Sequence, residues 1–247
     1  MAAPRPHADQ INRSRRVLLG ALPALAVAGA AACGSGSTGD GDGDSVEKVR
    51  EKAGPPPRPA DPDGAIAALM EGNDRFVART PKIREVADIE VLWTKLEVGQ
   101  APFATVLGCA DSRLAPELIF DQFVGDIFVV REAGNIADSP TSLGSLEFSQ
   151  AVLGSKAIVV LGHSSCGAVQ AAFDDATPGG NIQAIVDAIR PGIAGAADLD
   201  EAITANVRAV VGRIRAKSAV LADAERAGEC RIVGAVYDLA SARVRLI

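Results

Sequence analysis

Past residue 100 the chain alternates between two hydrophobic rhythms. Phe103-Ala104-Thr105-Val106-Leu107-Gly108-Cys109, Ile127-Phe128-Val129-Val130 and Ala157-Ile158-Val159-Val160-Leu161-Gly162-His163 are apolar runs without polar alternation. That pattern predicts strands buried on both faces of a parallel sheet. Between and after them, apolar positions recur at helical spacing over 142–153, after Cys166, over 182–189, and in one long stretch over 199–227 that stops at Gly228. A last strand is expected at 232–237. Upstream, Ala65-Ile66-Ala67-Ala68-Leu69-Met70 leading to Phe76-Val77 predicts a first helix, and 83–96 a second. Strands alternating with helices imply an α/β fold on a mainly parallel sheet, a single catalytic domain over 65–247. In such sheets ligands bind at the carboxyl ends of the strands.

The first 64 residues follow neither rhythm. Arg13-Ser14-Arg15-Arg16 runs into an uncharged apolar stretch over 17–32 that ends in Ala30-Ala31-Ala32. A basic region, a short apolar region and small residues at its end predict an export signal over 1–33. Its sixteen uncharged residues fall short of the ~20 needed to span a bilayer. The paired arginines resemble a twin-arginine signal, which carries proteins out already folded. Small residues before Cys33 resemble a lipobox, so lipidation at Cys33 and cleavage at an Ala-x-Ala site both stay open. Segment 34–64 is Gly, Ser, Asp and Pro, a composition that buries little and predicts a flexible tether. The expectation is an exported, extracytoplasmic protein, touching membrane only through a lipid anchor at Cys33.

Composition narrows the function. At 247 residues with 48% apolar content the chain can bury one sizeable core but not two large ones. The net charge of −6, about −9 once residues 1–32 take four arginines and one aspartate with them, excludes a nucleic-acid partner, which needs clustered Lys and Arg. Four cysteines at 33, 109, 166 and 230 are too few and too unlike in setting for a disulfide scaffold.

Two predicted strand ends carry chemistry. One closes in Cys109-Ala110-Asp111-Ser112-Arg113, the other in His163-Ser164-Ser165-Cys166-Gly167. Two thiolates and an imidazole are zinc-type donors, and three protein ligands leave the open position of a catalytic site. A disulfide between Cys109 and Cys166 is the competitor in an exported chain. Asp111 and Arg113, two apart, read either as a plain salt bridge or as a carboxylate held ready beside a metal-bound water. Cys230 has no partner motif and reads as a small hydrophobe.

The pair of motifs, some fifty residues apart, resembles the signature of β-class carbonic anhydrases. The resemblance extends through Gly72-Asn73-Asp74-Arg75-Phe76, Gly99-Gln100-Ala101-Pro102, Arg131-Glu132-Ala133-Gly134-Asn135, Gly144-Ser145-Leu146-Glu147-Phe148 and Gly234-Ala235-Val236-Tyr237-Asp238. It implies an antiparallel edge strand on the parallel sheet, and a homodimer or dimer-based homotetramer with pockets at the dimer interface. It implies one Zn2+ per chain on Cys109, His163 and Cys166, with Asp111 and Arg113 as the catalytic dyad. Gln100, Phe128, Ala133, Phe148 and Gly167 match positions that bind or line the carbon dioxide and bicarbonate site. The activity implied is reversible hydration of carbon dioxide by zinc-bound hydroxide. Hydrolysis of carbonyl sulfide or carbon disulfide on the same scaffold, and a non-catalytic zinc-binding surface lipoprotein, are the alternatives. Phe148 stands where the plant-like pattern has tyrosine. Val106 stands where bicarbonate-regulated members carry tryptophan, so Asp111 is expected on Arg113 rather than on the metal.

Overall fold

The apolar runs form the middle of a five-stranded sheet: β1 (Ala104–Gly108), β2 (Ile127–Arg131), β3 (Ala157–His163), β4 (Arg231–Tyr237) and β5 (Val244–Leu246), in the order β2-β1-β3-β4-β5. The first four strands are parallel, and β5 pairs antiparallel with β4 at one edge. The computed structural model describes residues 58–83, 89, 93 and 96–247. The export signal expected over 1–33, Cys33 and most of the tether lie outside the described residues. So does most of the second helix expected over 83–96, of which Ile89, Trp93 and Leu96 are helical, as are residues 97 and 98 beyond it.

Every residue of β1 and β3 is buried, because helices cover both faces of the central strands. Along β3 the side chains alternate between two apolar layers. Val159 and Leu161 join Val106, Leu69 of α1 (Pro62–Ala78), Val169 of α4 (Gly167–Phe173) and Ile189 of α5 (Gly180–Ile189). Ile158 and Val160 join Leu107, Leu146 of α3 (Pro140–Glu147), Val210 and Ile214 of α6 (Leu199–Lys217), and Leu221 of α7 (Ala219–Arg226). The short α2 (Pro116–Ile119) was not signalled by periodicity, being only one turn long.

Several expectations need correction. β2 is buried only at Ile127; Phe128, Val129 and Val130 are half-buried, because β2 is an edge strand with a neighbour on one side. The single helix expected over 199–227 breaks at Ser218, whose extended backbone (φ −115, ψ 101) ends α6 while its Oγ accepts from Leu221 N at 3.2 Å and caps α7. The helix expected over 142–153 starts at Pro140, capped by Ser139, and widens after Glu147 into a π-helical turn over Phe148–Val152. Helix α1 starts at Pro62 rather than Ala65, because the Asp61 carboxylate accepts from Gly64 N at 2.8 Å.

Two contacts tie α1 to the rest. A Cβ on Gly72 would sit 1.7 Å from the Phe120 carbonyl oxygen, so only glycine permits this approach. Next to it the buried Asn73 donates to the carbonyls of Ile119 (3.1 Å) and Ala242 (3.0 Å) and accepts from Val244 N at 2.8 Å, which fixes α1 against the β5 edge.

Candidate metal centre

After β1 the chain crosses to β2 on one side, and later returns to β3 on the other. The strand order therefore reverses between β1 and β3, and a crevice opens at their carboxyl ends. Cys109 follows β1 directly, and His163 ends β3. The chain then turns through Ser165, a left-handed residue (φ 54), so that Cys166 falls at the N-cap of α4. Ser164 anchors this turn: its N–H donates to Tyr237 O, and its Oγ accepts from Leu239 N, both at 2.9 Å.

The turn brings the donor atoms of Cys109, His163 and Cys166 within 4.8 Å of one another, all three residues buried. All three cysteines of the described residues, Cys109, Cys166 and Cys230, are free thiols, so the disulfide alternative is not what this structure holds. His163 Nδ1 lies 2.9 Å from Ser164 O, which fixes the proton on Nδ1 and leaves the Nε2 lone pair facing the thiols. That Nε2 is buried and has no hydrogen-bond partner. A buried imidazole nitrogen without a partner is costly, and a cation supplies what it lacks. The two thiols share one proton. The hydrogen bond from Cys166, with the Gly134 N–H as a further donor, holds Cys109 far below the usual thiol range against the effect of its burial. The same bond and burial push Cys166 far up. A bound cation removes the competition by stabilising both thiolates.

Asp111 stands beside the triad, its Oδ2 3.9 Å from His163 Nε2. Arg113 grips that carboxylate with two parallel bonds, Nε to Oδ1 at 2.9 Å and Nη2 to Oδ2 at 2.7 Å, and its backbone N–H adds a third to Oδ1 at 2.9 Å. These bonds, the Arg113 side chain first, hold the Asp111 carboxyl well below the ordinary carboxylate range. Arg113 Nη2 also reaches Ser165 O at 3.3 Å and so links the two motif loops. Asp111 is thus turned to Arg113, and Val106 is buried in the middle of β1.

Among the residues expected to line the site, Gly167 directly follows Cys166, and Ala133 precedes Gly134, whose N–H reaches Cys109 Sγ. Phe128 is half-buried on β2, opposite Thr105, while Gln100, ahead of β1, and Phe148, 46% exposed at the start of the π turn, are open to solvent in the single chain. Two contributors went unassigned at the sequence level. Arg131, at the end of β2, donates through Nε to Cys109 O (3.0 Å) and through Nη2 to Asp111 O (2.6 Å), clamping the loop between Cys109 and Asp111. A charged residue closing an apolar strand was the visible signal. Gly134 donates its N–H to Cys109 Sγ at 3.3 Å from a left-handed turn (φ 72), where a Cβ would meet Ile189 Cδ1 at 2.6 Å. Backbone donors leave no signal in side-chain chemistry.

The fold and site define a class: a doubly wound α/β protein with a buried Cys/His/Cys constellation at its switch point and a paired carboxylate beside it. The carbonic anhydrase family profile matches residues 104–244. Carbonic anhydrase 2 of Mycobacterium tuberculosis is 41% identical over 196 residues, covering 75% of this chain and 93% of that protein. A carbonic anhydrase of Mycolicibacterium smegmatis is 42% identical over 196 residues, covering 76% and 94%. Among solved structures, the β-carbonic anhydrase CafA of Aspergillus fumigatus superposes with a TM-score of 0.60 at 26% identity, covering 74% of this chain and 90% of that one. Two tetrameric β-carbonic anhydrases of Sordaria macrospora share the fold, with a TM-score of 0.59 at 22% identity over 74% of this chain and 96% of the matched one. The chain belongs to the β-class carbonic anhydrase family.

Proposed function

We propose that this protein hydrates carbon dioxide reversibly to bicarbonate and a proton, with one zinc ion held by Cys109, His163 and Cys166. The observation that carries the reading is the buried, unpartnered His163 Nε2 facing two thiols, with a carboxylate oxygen 3.9 Å away. Zinc bound there supplies Lewis acidity that makes water a nucleophile near neutral pH.

The chain's own residues do the rest. Asp111 accepts a hydrogen bond from the attacking water and so fixes which lone pair faces the substrate, while Arg113 keeps the carboxylate from turning onto the metal. Phe128, Phe148 and Ala133 form an apolar wall that suits carbon dioxide, which has no dipole to solvate. Gln100 offers the amide that holds bicarbonate, and Gly167 leaves room beside the last ligand. Gln100 and Phe148 are exposed in one chain, which fits a pocket completed by a second copy in a homodimer or tetramer. Two thiolate ligands donate more charge than imidazoles, so hydration rises on the alkaline side. The export-type sequence over 1–33 supports a position outside the cytoplasm, either anchored by lipid at Cys33 or released by cleavage at the Ala-x-Ala site, and folding before export lets zinc load where thiols are reduced.

Metal analysis and stopped-flow hydration of the purified protein test this together. One zinc per chain and a rate that climbs with pH are expected. Zinc without hydration at any pH from 6 to 9 (~) would sink the reading, and carbonyl sulfide turnover in its place would identify the rival chemistry.

A further inference from the structure

Gly134 gives its N–H to Cys109 from a buried turn whose backbone has to be held in place. Gly134 and Asn135 are both left-handed (φ 72 and 46), an arrangement that relaxes readily if nothing enforces it. One restraint comes from within, Asn135 N donating to Glu132 O at 2.8 Å. Another comes from 72 residues further along the chain: Asn206, in the middle of α6, donates Nδ2–H to Gly134 O at 3.0 Å. The carbonyl and the N–H of one glycine thus carry a chain of bonds from α6 to the Cys109 sulfur.

Asn206 is out of place by every apolar criterion. It is 1% exposed on a helix face with Ile203, Val207 and Val210, and its Oδ1 has no hydrogen-bond partner. A buried amide with half its capacity unmet is expensive to keep. Its orientation is fixed, because the flipped amide would set Oδ1 against the Gly134 carbonyl oxygen. The only bond it makes as a side chain among the described residues is the one to Gly134.

We propose that Asn206 is a positioning residue for the metal centre, holding Gly134 so that its N–H stays on Cys109 Sγ and presents that sulfur as a ligand. The proposal rests on the zinc reading above. Outer partners of metal ligands typically change affinity about 10–100-fold when lost.

Zinc affinity of the full protein, read by competition with a chromophoric chelator, tests it in Asn206→Leu and Asn206→Ala. The thiolate-to-metal absorption of the cobalt-loaded protein gives a second readout of the ligand sulfur. Val210→Ala, one turn further along the same helix and buried with Ile158, Val160 and Ile214, measures what mere loosening does. About tenfold or greater loss of affinity with a shifted cobalt band in the Asn206 variants, and affinity within about twofold of the parent in Val210→Ala, is the expected result. Parent-like affinity and band in the Asn206 variants overturn the proposal, and so does an equal loss in Val210→Ala. If neither Asn206 variant folds, the parent loaded with 113Cd decides: NMR couplings across Gly134 N–H to cadmium and across Asn206 Nδ2–H to Gly134 carbonyl carbon support it, and their absence overturns it. A parent that takes up no zinc fails the zinc reading itself, an outcome visible before any variant is made.

Discussion

At the scale of single residues, chemistry and structure separate cleanly. Asp111→Asn keeps the shape but replaces an acceptor held by three bonds with an amide whose nitrogen only donates. The variant is expected to keep its zinc and to lose one or more orders of magnitude in hydration rate, measured by stopped flow beside metal content. An unchanged rate reduces Asp111 to a salt-bridge partner. Because the folded carboxyl is held below its unfolded range, the Asp111–Arg113 pair contributes stability above the ordinary aspartate value near 3.9. That contribution disappears only as acid protonates the folded carboxyl. The difference in melting temperature between parent and Asp111→Asn should therefore be constant from about pH 5 upward and shrink below it, and the alkaline rise in rate cannot come from Asp111. Cys166→Ser should lose zinc and activity together, since a hydroxyl is a poor zinc ligand, and full occupancy in that variant would remove Cys166 from the set. Cys230, 2% exposed among Leu221 and Ile232 with its thiol pushed up to about 11 chiefly by burial, is a packing residue. Its replacement by alanine should leave metal and turnover intact and cost about 1 kcal/mol in denaturant unfolding.

At the scale of elements, what was legible in the sequence depended on whether one strand or helix could reveal it alone. β1 and β3 announced themselves because burial on both faces leaves Thr105 and the terminal His163 as their only polar residues. β2 looked the same but is half-buried, since strand order decides who sits at an edge and order is not written in any one strand. Ser218 hid inside a helical rhythm because a serine is tolerated there until its backbone turns extended. The π turn at Phe148–Val152 left no periodic trace either, yet it is held by a buried hydroxyl chain: Thr105 Oγ1 donates to Ser149 Oγ at 2.8 Å, and Ser149 donates to Leu146 O at 2.7 Å. Ser155 Oγ lies 2.9 Å from Thr105 Oγ1 on the other side. Ser149→Ala removes an acceptor and a donor at a site with no access to water. It should cost about 1–3 kcal/mol, read as a lower urea midpoint at unchanged slope, with zinc retained. A midpoint equal to that of the parent would show that the turn is held by packing alone.

At the scale of the whole molecule, the two motif loops meet because the strand order reverses between β1 and β3, which puts Cys109 and His163 at neighbouring strand ends. The motifs and their zinc-like donors were readable in the chain; their adjacency followed only from topology, and the Gly134 donor and Arg131 clamp only from coordinates. The same whole-chain view governs the proton that each hydration releases. Only two histidines occur, His7 and His163, and both nitrogens of His163 are committed, Nδ1 to Ser164 O and Nε2 to the metal under the proposed reading. Asp111 is held too acidic to carry a proton near neutral pH, and Tyr237, buried with its phenol pushed up by that burial, is too weak an acid to help. Among the described residues no second histidine therefore stands ready to relay the proton. It must leave through solvent to buffer, a step that follows substrate conversion and so enters kcat but not kcat/KM. At fixed pH and ionic strength, kcat should climb several-fold (~) as an imidazole-type buffer is raised from low to high concentration and then level off, while kcat/KM stays constant. A kcat indifferent to buffer would mean that an acidic side chain at the pocket rim carries the proton out, and that the shortage of histidine has no kinetic consequence.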